Sequence, residues 1–368
     1  MNKYKVCVYA IAKNEEQFVD RWMDHVSEAD LVVVLDTGST DHTIEKFKSR
    51  GALVYQSKAD KFRFDSARNE CLEYIPTDVD ICVSADVDDV IEYGWRKNLE
   101  KAWKKDTTRG FYLYNCSFND EGQPLVQYTH NRIHARHGYH WIYPTHEIVE
   151  YIGEGEEKPV FLTGVVYNHY PDGAKDRSLN LPLLELAVEE NPNSNRNLHY
   201  LGREYLFYQE WDKAIDMLKR YLDDPNSTWD EERSASMRFI ARAYREKKDY
   251  SKSKKWLYLA MAETPNAREP YVERAQLSYL EQDWPAVYYF IHEALKIKEK
   301  SYGYVNEGFA WDATPYDLGA LACYYLGLYQ QAINYSNEAL ILSPHDPRLL
   351  SNHQYYLEHQ EKYLKNSL

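Results

Sequence analysis

Two carboxylates spaced i, i+2 close the run Ile81-Cys82-Val83-Ser84-Ala85-Asp86-Val87-Asp88-Asp89. The apolar, β-branched stretch before them predicts a buried strand. On an extended segment Asp86 and Asp88 are expected to share one face. A buried parallel strand that ends in clustered acids places them at the carboxyl edge of an open α/β sheet, where such folds take ligands. Carboxylates that close repel one another unless a cation or proton lies between them, and a hard divalent ion bound by oxygens fills that role. The ion would clamp a diphosphate and stabilise it as a leaving group. The competing reading is a polar strand end that feeds a solvated loop.

The elements that must position these acids precede them. Residues 4–11 read as a first strand, 31–35 as a fully buried second, 52–55 as a short third and the acidic run as a fourth. Between them lie apolar stripes at helical spacing. Phe18, Val19, Trp22, Met23 and Val26 make the first, and Ile44 and Phe47 belong to the second. Ala67, Cys71 and Ile75 make the third, which stops at Pro76. The order β-α-β-α-β-α-β predicts a parallel sheet between helices. Asn14 is expected to cap the first helix and Asp65 the third. Asp36-Thr37-Gly38-Ser39-Thr40-Asp41 forms a strand-turn-helix junction of the kind that meets anions. There Asp36 either accepts hydrogen bonds from a base or ribose or caps the next helix. Arg68 is placed to meet an anion beside the sheet, or is a plain surface arginine.

Residues 95–103 form a short amphipathic helix pattern, and 110–114 and 160–170 two further strands. From 128 to 150 the chain is dense in histidine and aromatics, among them His130, Arg132, His134, His140, Trp141 and His146. Without cysteines or a His-Glu-x-x-His helix, zinc is disfavoured. Aromatics interleaved with polar groups suit sugars, whose apolar faces stack on rings. Arg132, Trp141 and His146 are the candidates for contacts to sugar or acceptor.

Four blocks carry a resemblance: Lys13-Asn14-Glu15-Glu16, Asp36-Thr37-Gly38-Ser39-Thr40-Asp41, Ala67-Arg68-Asn69 and Asp86-Val87-Asp88. In order and spacing they resemble the family 2 glycosyltransferases with the GT-A fold. The resemblance implies a Rossmann-like, mostly parallel α/β domain that binds a nucleoside-diphosphate sugar, a UDP-sugar being the ordinary donor, and inverts the transferred sugar. Asp36 and Glu15 would contact base and ribose, with Asn14 and Ser39 in the same nucleotide-sugar site. Arg68 would lie against the nucleotide, Asp86 near ribose or ion, and Asp88 would ligate Mn²⁺ or Mg²⁺. His169, in Tyr167-Asn168-His169-Tyr170, corresponds to a histidine that related transferases place after the last strand as a further ligand. Many relatives have glutamate where this chain has Asp89, which keeps the charge and shortens the reach. Pro144-Thr145-His146-Glu147 resembles the His-Glu found after the acceptor loop, making Glu147 the first candidate general base and Asp89 the second.

After Asp176 the pattern turns helical, which divides the chain into a catalytic domain over 1–177 and an all-α domain over 178–368. A linking helix over 179–188 comes first. Gly202 and Ala214, Ala241 and Ser253, Ala275 and Val287, and Ala320 and Ala332 are each twelve apart. Tyr221, Ala260, Ala294 and Ala339 follow seven later, and Pro225, Pro265 and Pro344 close three units. These helix pairs resemble tetratricopeptide repeats, with loops inserted near 226–231 and 301–315 and a capping helix over 351–364. The repeats would bind an acceptor protein or pair two copies of the chain.

A net charge of -14 disfavours nucleic acid as a bulk ligand. Five scattered cysteines without a Cys-x-x-Cys pair suit a reducing compartment, and no apolar run is long enough to span a bilayer, so the expected location is cytoplasmic. A repeat scaffold with an inactive transferase-like domain is the alternative. Retention of Asp36, Arg68, Asp86 and Asp88 argues against it.

Overall fold

The computed structural model describes residues 3–119, 122–171, 178–301 and 303–366. The domain boundary expected after residue 177 falls at the edge of a stretch outside them. The chain forms two compact units, Met1–Ser117 with Gln127–Glu190, and Phe118–Val126 with Asn191–Leu368.

In the first unit, strands β1 (Val6–Ala12), β2 (Leu31–Asp36), β3 (Leu53–Gln56) and β4 (Ile81–Ser84) alternate with helices α1 (Val19–His25), α2 (Thr43–Ser49) and α3 (Phe64–Glu73). Then come β5 (Asp89–Ile91), α4 (Trp95–Ala102), β6 (Arg109–Phe118), β7 (Pro124–Ala135), β8 (Tyr139–Ile142), β9 (Ile148–Tyr151), β10 (Pro159–His169) and the linking helix α5 (Asn180–Glu190). Eight strands make one sheet in the order β3-β2-β1-β4-β7-β6-β10-β5, and β8 pairs with β9. β1 runs parallel to β2 and β4, β2 to β3, and β6 to β10, whereas β7 against β4 and β5 against β10 are antiparallel. This is the expected Rossmann-like, mostly parallel sheet.

Strand alternation divides the core into two layers. Val6, Val8 and Ala10 of β1 pack with Trp22, Phe47, Trp95 and Leu99 from α1, α2 and α4. Cys7 and Tyr9 face Ala67, Cys71 and Leu72 of α3 and Trp141 of β8. Every cysteine is free, and four of the five are buried.

Two local expectations are corrected. Asn14 caps no helix: α1 starts at Val19 without a side-chain cap. Asn14 instead adopts φ 55°, a region asparagine tolerates, and joins the ends of β1 and β2. Asp65 lies inside the first turn of α3, which starts at Phe64, and pairs with Arg63 at 2.9 Å.

The second unit is a series of helix pairs: α6 (Asn195–Phe207) with α7 (Trp211–Asp223), α8 (Asp230–Glu246) with α9 (Tyr250–Glu263), α10 (Glu269–Leu280) with α11 (Trp284–Lys296), and α12 (Thr314–Tyr325) with α13 (Tyr329–Leu342). A last helix, α14 (Pro347–Asn366), follows. The small residues read from the sequence sit where paired helices meet: Ala214, Ala241, Ala260, Ala275, Ala294, Ala320, Ala332 and Ala339 are all buried. A Cβ on Gly202 would lie 2.5 Å from Leu218 Cγ. Pro225, Pro265 and Pro344 each stand just beyond the second helix of a pair.

The segment between α11 and α12 is packed rather than looped out. Tyr304 stacks on Tyr200 with ring centres 6.0 Å apart and donates to Glu232. Glu307 accepts from Arg242 Nη1 at 3.0 Å and also pairs with Arg238, while Trp311 Nε1 donates to Glu269 at 3.0 Å. No helix among the described residues is long and apolar enough to cross a membrane.

Candidate active site

The parallel strands β1, β2 and β4 lie side by side, so their carboxyl ends share one edge of the sheet, the edge at which open α/β folds bind ligands. At the end of β1, Asn14 N–H donates to Ser39 Oγ at 2.9 Å, and its Oδ1 accepts from Thr40 N–H at 2.8 Å. Glu15 is buried, and its N–H donates to Thr43 Oγ1 at 2.8 Å. At the end of β2 the buried Asp36 accepts from the Gly38 and Ser39 N–H groups, both at 3.0 Å, and from Ser39 Oγ. Asp36 therefore holds the turn that follows its own strand. Asn14, Glu15, Asp36 and Ser39 are thus gathered at the mouth of β1 and β2.

The acidic block departs from the expected alternation. The strand stops at Ser84, and Asp89 N–H bonds back to Asp86 C=O at 2.9 Å, closing a turn. Asp86 and Asp88 consequently do not share a strand face, and their carboxylates meet different partners. Asp86 receives Arg68 Nη2 at 2.6 Å and Arg132 Nη1 at 2.7 Å. Burial opposes ionisation of Asp86, but these two guanidiniums hold its carboxyl well below the usual carboxylate range. Arg68 also donates from Nε to Glu147 at 2.5 Å and from Nη1 to Ser84 Oγ at 3.2 Å. Arg132 Nη2 lies 3.9 Å from the same Glu147 oxygen. Arg68 is thus a buried member of the site rather than a surface arginine. Glu147 Oε2 has no partner among the described residues.

Asp88 belongs to a second cluster. Antiparallel pairing of β5 with β10 sets His169 opposite Asp89, with Nδ1 at 3.1 Å from Asp89 Oδ1 and 3.7 Å from Asp88 Oδ1. One ligand atom from each of Asp88, Asp89 and His169 lies within 4.8 Å of the others. Tyr114 OH donates to Asp89 Oδ1 at 2.9 Å and Asp86 N–H to Asp89 Oδ2 at 3.1 Å, so the carboxylate is oriented from outside the cluster. Burial disfavours a charged imidazole, yet the adjacent Asp89 and Asp88 raise the proton affinity of His169. Two buried carboxylates and an imidazole around one point form a donor set that fits Mn²⁺ or Mg²⁺, the nitrogen suiting Mn²⁺ better. Asp86, expected as a further ligand, stands outside this set because both arginines take its oxygens. Asp89, expected as the second candidate base, lies within the cluster instead, and nothing in the spacing foretold that.

Trp141 departs from the expected sugar-stacking role. Its side chain is fully buried, with the Arg68 and Arg132 guanidinium carbons 4.8 and 5.7 Å from the ring centre. His146 is half-buried with φ 49°, and Tyr143 has φ 77°. Two non-glycine residues in the left-handed region, on either side of Pro144-Thr145, deliver Glu147 to Arg68. Sequence reasoning passed over Tyr114. A tyrosine on an ordinary strand gives no signal that its hydroxyl meets a carboxylate.

Residues 7–153 match the model described as glycosyl transferase family 2. No curated protein matches the chain. Among solved structures, Pseudomonas aeruginosa pilF is similar at 15% identity over 50% of this chain and 74% of that one, with a TM-score of 0.39. The C-terminal part of a TPR repeat-containing protein from Cytophaga hutchinsonii is similar at 14% identity over 50% and 67%, with a TM-score of 0.42. A thermophilic TPR protein of Thermus thermophilus follows at 18% identity over 49% and 90%, with a TM-score of 0.35. The match over residues 7–153, a stretch that includes the nucleotide-side and acidic blocks, supports a glycosyltransferase.

Proposed function

We propose that the chain is a metal-dependent, inverting hexosyltransferase that moves a sugar from a nucleoside-diphosphate sugar, a UDP-sugar by preference, to a nucleophile on a protein or glycan. The single observation that carries this reading is the triad Asp88, Asp89 and His169 at the sheet edge that also holds Asp36 and Arg68. Asp88, Asp89 and His169 would hold Mn²⁺ or Mg²⁺. When bound, the ion supplies Lewis-acid polarisation of the diphosphate and offsets the charge of the departing nucleotide.

The remaining work falls to the chain. Asn14, Glu15, Asp36 and Ser39 line the strand ends for the base and ribose. Arg68, buried beside Asp86 and Glu147, would lie against the nucleotide and add positive charge near the phosphates. The acceptor oxygen attacks the anomeric carbon, and the bond from that carbon to the phosphate oxygen breaks with its electron pair on the nucleotide. The acceptor proton passes to a carboxylate. Glu147 is preferred because Oε2 is uncommitted, whereas Asp89 already accepts from Tyr114 and from the Asp86 N–H. One displacement from the opposite face inverts the anomeric centre. Arg132 and His146, beside Glu147, remain the proposed contacts to acceptor or sugar.

The test joins calorimetry with UDP and Mn²⁺ to a donor panel scored by nucleotide release. Asp88→Ala is expected to abolish metal-linked binding and to cut turnover about a hundredfold or more while leaving the fold intact. Metal-independent turnover, or full activity in Asp88→Ala, refutes the mechanism. A protein that binds no nucleotide at all is the inactive scaffold instead. The exposed Tyr289, Tyr325, Ile341 and Tyr355 of the repeat unit support a homodimer through that unit, which light scattering tests. A cytoplasmic location accords with the free cysteines.

A further inference from the structure

Trp141 sits where the site's two arginines meet, yet no step above uses it. Its backbone is clamped from α3, Asn69 Oδ1 accepting its N–H at 2.8 Å and Asn69 Nδ2 donating to its C=O at 2.8 Å. Its indole Nε1–H donates to Tyr9 OH on β1 at 2.9 Å. Tyr9 OH lies 2.9 Å from His134 Nε2, and His134 Nδ1 lies 2.8 Å from Ala135 C=O.

The direction of this chain follows from chemistry. A carbonyl only accepts, so Nδ1 carries the hydrogen and Nε2 of the neutral ring is an acceptor. Burial lowers the His134 pKa to about 4, which keeps the ring neutral near pH 7. Tyr9 therefore donates to His134 and offers its oxygen to the indole. Each donor has one acceptor, and the rotation of the Trp141 ring is determined by three strands and a helix.

That ring is the support of a crowded pair of cations. Arg68 and Arg132 both contact Trp141 and both reach the same carboxylate, Asp86. Two like charges in so small a volume repel. The shared carboxylate and the negative face of an indole are what hold them in one geometry. A leucine, smaller than the indole, would fill part of the space without offering that face.

We propose that Trp141 is a positioning residue, an indole platform oriented through Tyr9 and His134 that sets the geometry of Arg68 and Arg132 for the negatively charged donor. The inference rests on the transferase reading for the identity of that donor and on the structure alone for the positioning.

The experiment uses the full-length chain and two readouts. The first needs no ligand: the Nε–H resonances of Arg68 and Arg132 in the deuterated, ¹⁵N-arginine protein. Arg68 Nε is held by Glu147, so its signal is expected to be sharp in the wild type and shifted or broadened in Trp141→Leu. Trp141→Phe, which keeps a ring, is expected to lie between. The second readout is calorimetry with UDP and Mn²⁺ well below the unfolding temperature. There Trp141→Leu is expected to weaken binding about tenfold or more, with Trp141→Phe and Tyr9→Phe affected less. A merely structural tryptophan would lower the melting temperature of all three variants without moving either readout, and that result overturns the proposal. Should wild type bind no UDP while the arginine signals still depend on the ring, the transferase reading falls and the positioning role stands. Should wild type bind UDP as tightly as Trp141→Leu, with unchanged arginine signals, the positioning role falls alone.

Discussion

Replacing Arg68 by methionine tests the electrostatic centre of the site. The side chain is 3% exposed and makes three polar contacts, to Glu147 at 2.5 Å, Asp86 at 2.6 Å and Ser84 at 3.2 Å. Methionine matches much of its length and none of its charge. Asp86 would keep Arg132 at 2.7 Å and is 30% exposed, so its share of the loss is small. Glu147 is 6% exposed and would keep only Arg132 at 3.9 Å, beyond hydrogen-bond reach. Stripping one partner from a buried ion pair costs about 3–5 kcal/mol. Because Glu147 retains an uncommitted oxygen, we expect the lower end, about 3 kcal/mol, or roughly a hundredfold in the opening equilibrium. Hydrogen exchange of the amides of β1 and β4 reports this for the first unit alone, independently of the helical unit. The acid limb moves as well. The folded-state pKa of Asp86 lies below its unfolded value, so its contribution is present above that unfolded value and lost as pH falls through the folded one. With one arginine gone the depression shrinks, so the loss is complete at a higher pH, and the acid midpoint of Arg68→Met rises because less stability remains to be lost. Adding Glu147→Gln should recover part of the stability, since the uncompensated charge disappears. Exchange rates within about threefold of wild type, together with an unmoved acid midpoint, would refute the assignment of a buried, shared charge network.

Three further outcomes follow from the same geometry. His134 is pushed down to about 4 by burial, so the unfolded chain binds the extra proton first as pH falls. Its contribution is whole above the unfolded value of about 6.5 and erodes by about 3 kcal/mol toward pH 4, which a comparison of wild type with His134→Gln by exchange at several pH values will detect. In the helical unit burial works against ionisation of Glu307, but Arg238 and Arg242 bring its pKa to about 2. Glu307→Ala leaves Arg238 with Glu273 alone and should lower repeat-unit stability by about 2 kcal/mol at pH 7; the gap to wild type should narrow as pH falls from the unfolded value near 4.3 toward about 2, as followed by urea unfolding. Gly202→Ala places a methyl 2.5 Å from Leu218 Cγ, an overpacking cost of about 2 kcal/mol partly returned by about 1 kcal/mol of helix preference, for a small net fall in melting temperature.

Much of the architecture could be read before any coordinates. The alternation of buried strands with amphipathic helices gave the parallel half, because apolar period and turn chemistry are local properties. The twelve-residue spacing of small residues gave the helix pairs, since Ala241 and Ser253, or Ala320 and Ala332, can only matter where two helices touch. β7, β8 and β9 were hidden inside the aromatic stretch, where side chains suitable for a strand face also suit a binding loop. The segment around Tyr304 to Trp311 looked like an insertion, and only its contacts show it packed. Among site residues, Asp36, Arg68, Asp88, Glu147 and His169 all reach the sheet edge or the cluster beside it. Asp86 meets the two arginines and Asp89 clusters with Asp88 and His169 because a turn, not a strand, follows Ser84. Trp141 went from expected sugar platform to buried support, which its neighbours on β1, β7 and α3 decide.

The amino-acid order alone therefore determined which chemistry was available: clustered acids after an apolar strand, a histidine at the last strand end, and small residues repeated at helix-pair spacing. Those are properties of composition and period along one chain. Which oxygen faces which cation was decided only by the packing of distant segments. Arg68 to Glu147, Asp89 to His169 and Tyr9 to Trp141 are separated by tens of residues or more. Their distances depend on strand register and helix placement, which no local pattern encodes.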